Sequence, residues 1–283
     1  MPFPGHAPSK INWRDWILPA IISALVLICY RSVIWMTLEL LLANEDMAQG
    51  LFAPIVAMYI VWTARDALLH PASPPSFWSL PVLGFAGLLG MAGTLGNSST
   101  LSRFALLITI EGCLLVFGGW PAMKRFQFPV LLLLFTFPIP VVLYGELTQP
   151  LQLISTQLSK WILEAFGYSV LREGNILQLP HMKLSVIEAC SGLRSLVTLS
   201  FVCIVYSYFF ELRPWLRAAL VALAVPVAIL INALRITGTG IIGTYDQAYT
   251  VGTYHEALGW ACFLLGFVII LGIHRSMPKM EAV

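Results

Sequence analysis

The chain has 283 residues, of which 58% are hydrophobic and only 11% charged, where a soluble domain carries about 25% charge. A mean hydropathy of +0.83, with apolar runs along the whole length, excludes a soluble globular enzyme and leaves no room for a large soluble domain. The net charge of +2 says little about partners, and nothing points to nucleic acid. Five cysteines, mostly inside apolar runs, are not a disulfide framework. There is no CxxC motif and no metal-spaced His/Cys cluster, so neither a metal nor another cofactor is expected.

The expected fold class is an all-α polytopic integral membrane protein with about eight transmembrane helices, here read as one transmembrane domain over residues 1–283. The predicted spans are 16–35, 51–64, 77–96, 101–120, 126–145, 190–210, 214–242 and 256–273. Lys10 and Arg14 precede the first run, and no small-residue cleavage site follows it, so that run is read as a retained span. An even count puts both termini on one side. Lys10, Arg14, Arg65, Lys124, Arg125, Arg213, Arg217, Arg275 and Lys279 then fall inside, as the positive-inside rule asks. Residues 1–15 form the inner N-terminus and 274–283 the inner tail. Most acidic residues, among them Glu39, Glu146, Glu173, Glu188, Asp246 and Glu256, fall outside.

The longest stretch between spans is 146–189, on the outer side. Leu147, Leu151, Ile154, Leu158, Ile162 and Phe166 recur at helical spacing and predict an amphipathic helix lying on the membrane surface. Met182, Leu184 and Val186 alternate with Lys183 and Ser185 after Pro180-His181, which predicts a short β-hairpin leading to Cys190. Pro226, mid-way along the seventh span, lacks the N–H that a helix interior needs and predicts a kink.

Cys190 stands apart from Cys29, Cys113, Cys203 and Cys262, which sit in apolar surroundings as packing residues. It lies where a polar, strand-like stretch meets a long apolar run, near a predicted helix N-terminus, with Arg194 four residues on. Both features favour a thiolate. The predicted topology brings Arg235, near the outer end of span seven, and His255, opening span eight, to the same membrane level. A thiolate attacks a carbonyl, a histidine moves a proton near neutral pH, and an arginine stabilises an oxyanion. Glu188, Ser191 and Gly192 flank the cysteine. Asn232 shares a helix face with Arg235, and Glu256 adjoins His255 as a possible orienter. Singly, each of these residues also fits packing, capping or snorkelling; their convergence at one face favours acyl transfer as a hypothesis. Glu111 and Arg31 are further intramembrane charges, and Glu111 is read as structural.

In the blocks Glu188-Ala189-Cys190-Ser191-Gly192-Leu193-Arg194-Ser195, Asn232-Ala233-Leu234-Arg235-Ile236 and His255-Glu256-Ala257-Leu258-Gly259-Trp260, the sequence resembles the exosortase/archaeosortase family of membrane cysteine transpeptidases. Arg172-Glu173-Gly174-Asn175-Ile176 and Pro150-Leu151-Gln152 also look like family features, and the resemblance spans roughly residues 16–275. It implies catalytic Cys190, Arg235 and His255, with an arginine replacing this histidine in some archaeal relatives. It also implies substrates that are exported proteins with a C-terminal sorting signal: a short motif often containing Pro-Glu-Pro, one transmembrane helix and a basic cluster. The implied location is a bacterial inner membrane with the site facing the periplasm, in contact with membrane lipid, and the amine acceptor stays open. Some relatives carry an extra C-terminal domain linked to exopolysaccharide production, which this chain is read as lacking. Arg194 or Arg172 is a candidate for recognising an acidic residue of the signal. The alternatives are a membrane acyltransferase, or a non-catalytic scaffold or transporter in exopolysaccharide export.

Overall fold

A bilayer offers no hydrogen bonds to backbone amides, so apolar runs of this length satisfy their own N–H and C=O groups as helices. The computed structural model describes residues 17–44, 47–69, 73–180, 182–186, 192–246 and 252–276. Its described residues pack into two compact units, which divide between Pro138 and Ile139.

In the first unit, α1 (Ile17–Cys29) and α2 (Arg31–Ala43) meet at 71°. The predicted first span, 16–35, is therefore broken near Tyr30. Next come α3 (Ala48–Thr63), the single turn α4 (Asp66–Leu69), α5 (Ser79–Leu95) and α6 (Ser99–Leu132), which runs into a 3-10 turn at Leu133–Thr136. The Ser98 side chain caps α6 by accepting from the Leu101 N–H. Helical geometry is interrupted at Gly118 and Gly119. Gly119 has φ +62°, and a Cβ there would lie 2.9 Å from the Pro74 carbonyl oxygen, so only glycine fits the break. Arg103, buried in α6, donates from Nε to Thr37 Oγ1 (2.9 Å) and from Nη1 to Ser99 Oγ (3.4 Å).

The second unit holds α7 (Val141–Ala165), strands β1 (Leu171–Glu173), β2 (Ile176–Leu179) and β3 (Met182–Ser185), then α8 (Leu193–Phe210), α9 (Pro214–Tyr245) and α10 (Thr253–Ser276). α9 is the centre, with α7, α8 and α10 all packed on it. Leu199, Cys203, Leu220, Ala224, Ile231 and Ile270 form one buried core. Leu163, Val170, Leu177, Leu179, Met182, Val186 and Ile236 form another, which seats the sheet.

Four helical segments are long and apolar enough to cross a membrane: Ser99–Thr136, α8, α9 and α10. The bent α1–α2 pair makes a fifth if it is one span. α3 and α5 are apolar but, at about 24 and 26 Å, shorter than a ~30 Å hydrocarbon core. The chain is a polytopic membrane protein. The predicted fifth span, 126–145, is two pieces: α6 and its 3-10 turn end before Phe137, and α7 begins at Val141. Pro138 and Pro140 explain the break, since neither offers an N–H and each steers its predecessor away from helical geometry.

α7 starts six residues earlier than the predicted surface helix, and its apolar side faces outward. It exposes Leu143, Leu147, Leu153, Ile154 and Trp161 and buries Thr148, Ser155, Thr156 and Ser159. Thr148 and Thr156 donate to Tyr144 O and Gln152 O in their own helix, and Ser159 reaches Ala233 O of α9 at 2.9 Å. Apolar groups outward and small hydroxyl groups inward is the pattern of a helix solvated by lipid on one side and packed on a helix on the other. The segment before 187 holds a three-stranded antiparallel meander in the order β1-β2-β3, one strand more than a hairpin.

Away from the sheet, the α8–α9 turn is tied to the end of α10. Glu211 accepts from Arg213 (N 2.9 Å, Nε 3.1 Å) and lies 3.2 Å from His274 Nε2, whose Nδ1 is 2.8 Å from Tyr206 OH. The Arg213 guanidinium, with His274 beside it, holds the Glu211 carboxyl down to about 2. A carboxylate depressed in this way contributes stability that is full above its ordinary value of 4.5 and is lost as pH falls towards about 2. Glu211→Gln is therefore expected to unfold several degrees below wild type at pH 7 in a detergent thermal melt. The gap should narrow as pH falls below about 4.5, and a gap that is constant with pH would contradict the ion pair.

Candidate active site

Arg235 and Thr239 are four residues apart on α9, and His255 and Gly259 are four apart on α10, so each pair shares a helix face. The two faces meet. Arg235 Nη2 lies 2.9 Å from His255 Nε2. A guanidinium only donates, so Nε2 accepts and the ring is the neutral form with its proton on Nδ1. That Nδ1–H points at Thr239 Oγ1, 3.4 Å away, and the Thr239 hydroxyl donates to Arg235 O at 2.9 Å. The chain of donors closes on the residue where it began. The buried Nε of Arg235 has no hydrogen-bond partner among the described residues.

Small residues permit this approach. A Cβ on Gly259 would lie 3.2 Å from Arg235 Cζ and 3.3 Å from Nη2, so the bare glycine is the space the guanidinium occupies. One turn or two further along, Cys262 and Gly266 continue the same face, and Gly266 abuts Ile231. Such a strip of small residues lets membrane helices pack closely.

Asn232 and Gly192 join the start of α8 to α9. Gly192 has φ +82°, and a Cβ there would sit 2.9–3.1 Å from the Asn232 side chain, which is fully buried. Glycine is required twice, by backbone conformation and by contact. Arg194 follows in the first turn of α8, and its charge, like that of Arg235, acts on His255. On the other side of residues 187–191, Val186 is fixed by a reciprocal pair: its N–H donates to Asn175 O and its C=O accepts from Asn175 Nδ2, both at 2.9 Å. A gap of about 10 Å³, room for no more than a single water, lies between β3 and α9 and is lined by Leu184, Ser185, Val186, Arg235, Ile236 and Thr239.

Of the residues singled out from sequence, Arg235 and His255 are in direct contact, with Asn232, Gly192 and Arg194 around them. Cys190, Glu188 and Ser191 lie outside the described residues, as does His181. Glu256 is exposed, and the orienting place at Nδ1 is filled by Thr239. Arg172 is engaged locally, donating to Gln157 Oε1 (2.6 Å) and Gly174 O (2.7 Å). Glu111 stands in the other unit, where its buried Oε2 has no partner among the described residues. Sequence reasoning missed Thr239 and Gly259; the i+4 spacing from Arg235 and from His255 was the available signal. Among the described residues no group of three or more His, Cys, Asp or Glu could hold a metal ion.

Two outcomes test the geometry. The 15N shifts of a labelled His255 ring are expected to report the Nδ1–H tautomer in wild type and a mixture in Gly259→Val, whose side chain displaces the guanidinium; unchanged shifts would contradict the contact. Gly192→Ala is expected to lower stability by about 1–3 kcal/mol, read from the unfolding midpoint in detergent.

No curated protein and no solved structure matches the chain. The family model of the transmembrane exosortases matches residues 35–272, a stretch that includes the whole of α9, most of α10 and the Arg235–His255 pair. With most of its length covered by that match, the chain belongs to the transmembrane exosortase family.

Proposed function

We propose that this exosortase is a membrane cysteine peptidase or transpeptidase. It cleaves the C-terminal sorting signal of exported proteins through an acyl-thioester on Cys190. The observation that carries the reading is the Arg235–His255 pair, two chemically complementary groups brought within 2.9 Å from separate helices. Two peptide units separate Cys190 from Gly192, so chain connectivity keeps its Cα within about 7.6 Å of the Gly192 Cα. Gly192 abuts Asn232, one turn from Arg235 on α9.

In the first step the Cys190 thiol gives its proton to His255 Nε2, which releases Arg235 Nη2. The thiolate attacks the scissile carbonyl carbon, and the guanidinium, with Nη2 freed and Nε unpartnered, donates to the oxyanion. The C–N bond breaks, and the leaving amine takes the proton from Nε2. An amine or water then attacks the thioester, passing its proton to Nε2; the C–S bond breaks, and the departing thiolate takes that proton back as the thiol. Thr239 holds the ring by Nδ1 throughout. Arg194 or Arg172 meets an acidic residue of the signal; Arg172 is held by Gln157 and Gly174.

In this reading the chain crosses a bacterial inner membrane several times, both termini face the cytoplasm and the site faces the periplasm. A substrate with one helix and a basic inner tail obeys the same positive-inside rule, which sets its scissile bond at the outer face.

The test compares C-terminal peptides of surface and secreted proteins, by mass spectrometry, in wild type, a deletion strain and Cys190→Ala at wild-type expression. Tailed proteins are expected to keep their C-terminal helix in both mutants. A Cys190→Ala strain that matches wild type while the deletion differs would make the cysteine structural. In the same assay Thr239→Val, which leaves the Nδ1–H without an acceptor, is expected to slow cleavage about tenfold, with Thr239→Ser restoring it.

A further inference from the structure

The sheet has two edges, and they are not equivalent. β1 lies on the α7 side and β3 on the α9 side, beside Arg235 and Thr239. The register pairs Leu184 with Leu177, Lys183 with Gln178, and Ser185 with Ile176. The Val186 N–H donates to Asn175 O, so Asn175/Val186 is a hydrogen-bonded pair. In an antiparallel ladder such pairs alternate, which makes Leu177/Leu184 and Leu179/Met182 the next two. The N–H and C=O groups of Lys183 and Ser185 therefore point away from β2. Both residues are exposed, and among the described residues neither makes any hydrogen bond beyond the sheet. The even-numbered side chains Met182, Leu184 and Val186 seat the strand on the core, which fixes this register.

We infer that the outward edge of β3 is a strand-addition site, on which the extended segment adjoining the scissile bond pairs with the backbone of Lys183 and Ser185. The inference rests on the peptidase reading and adds to it a mode of substrate binding. Three observations select this occupant. The edge carries at least two outward donors and two outward acceptors, which is what an extended peptide complements. Ser185 of this edge borders the same small gap as Arg235 and Thr239, so the edge lies beside the face of α9 that carries the pair. β1, the alternative edge, turns a single residue outward, Arg172, and lies towards α7. Backbone pairing also separates affinity from side-chain identity, leaving specificity to alternate side chains of the added strand.

Proline offers a clean probe, because at an outward edge position it removes a donor without breaking a ladder bond. Lys183→Pro and Ser185→Pro are expected to keep the wild-type melting temperature in detergent while raising KM at least tenfold. Their substrates are synthetic peptides carrying the bond identified by the C-terminal comparison and its apolar helix, in micelles with full-length enzyme. The second arm leaves the enzyme untouched. Peptides N-methylated singly at successive residues around that bond are expected to lose cleavage at every second position, at least tenfold, and to keep it between. If the unmethylated peptide is cleaved in a Cys190-dependent way but N-methylation shows no period of two, the peptidase reading stands and strand addition is overturned. Strand addition is equally overturned if folded proline variants keep KM within twofold. If proline variants fail to fold, the N-methyl series alone decides. If no cleaved bond is found, or the peptide stays intact with wild type, the peptidase reading falls and takes strand addition with it.

Discussion

A guanidinium held between membrane helices has to be given acceptors by its neighbours, and Arg235 receives one from His255 Nε2. Everything nearby follows from that demand. The imidazole must be neutral to accept, so its proton sits on Nδ1 and needs an acceptor in turn; Thr239 supplies it and hands its own proton to the Arg235 carbonyl. In a low-dielectric site a fixed ring of this kind costs little reorganisation when charge develops. α9 is accordingly the helix on which the others are assembled, with α10 bringing the imidazole, the start of α8 bringing Gly192 against Asn232 and α7 closing the far side.

Close approach is achieved by leaving atoms out. Gly259 vacates the space the guanidinium fills, Gly192 the space beside Asn232, and Gly266 the space against Ile231. Ser159 works the same way with a hydroxyl, short enough to let α7 approach α9 and polar enough to bond its backbone. Helices in lipid gain little from burying leucine against leucine, so contact area and hydrogen bonds have to come from such residues.

Much of this was legible in the sequence. Arg235 and His255 could be named because a charge and a titratable ring at the ends of apolar runs are costly and need a reason. Asn232 followed from its spacing to Arg235. The membrane class followed from composition. Thr239 and Gly259 were not legible as site residues, because a threonine in a membrane helix usually bonds its own backbone and a glycine carries no chemistry; only the contact between α9 and α10 gives them roles. Boundaries were read less well than identities. A hydropathy window sees 126–145 as one apolar run, whereas Pro138 and Pro140 divide it. Periodicity shows that α7 has two faces but not what each one meets; the buried row of Thr148, Ser155, Thr156 and Ser159 shows that the hydroxyls face the protein, which leaves the apolar side outward.

The two faces of α7 also constrain how the molecule is built. α7 is made before α9, and the Ser159–Ala233 bond joins residues 74 apart in the chain. Until α9 has emerged, α7 can rest along the bilayer interface, its leucines in lipid and its hydroxyls towards water. Its final seat exists only once α9 is in place, so the docking of α7 waits on a helix made later.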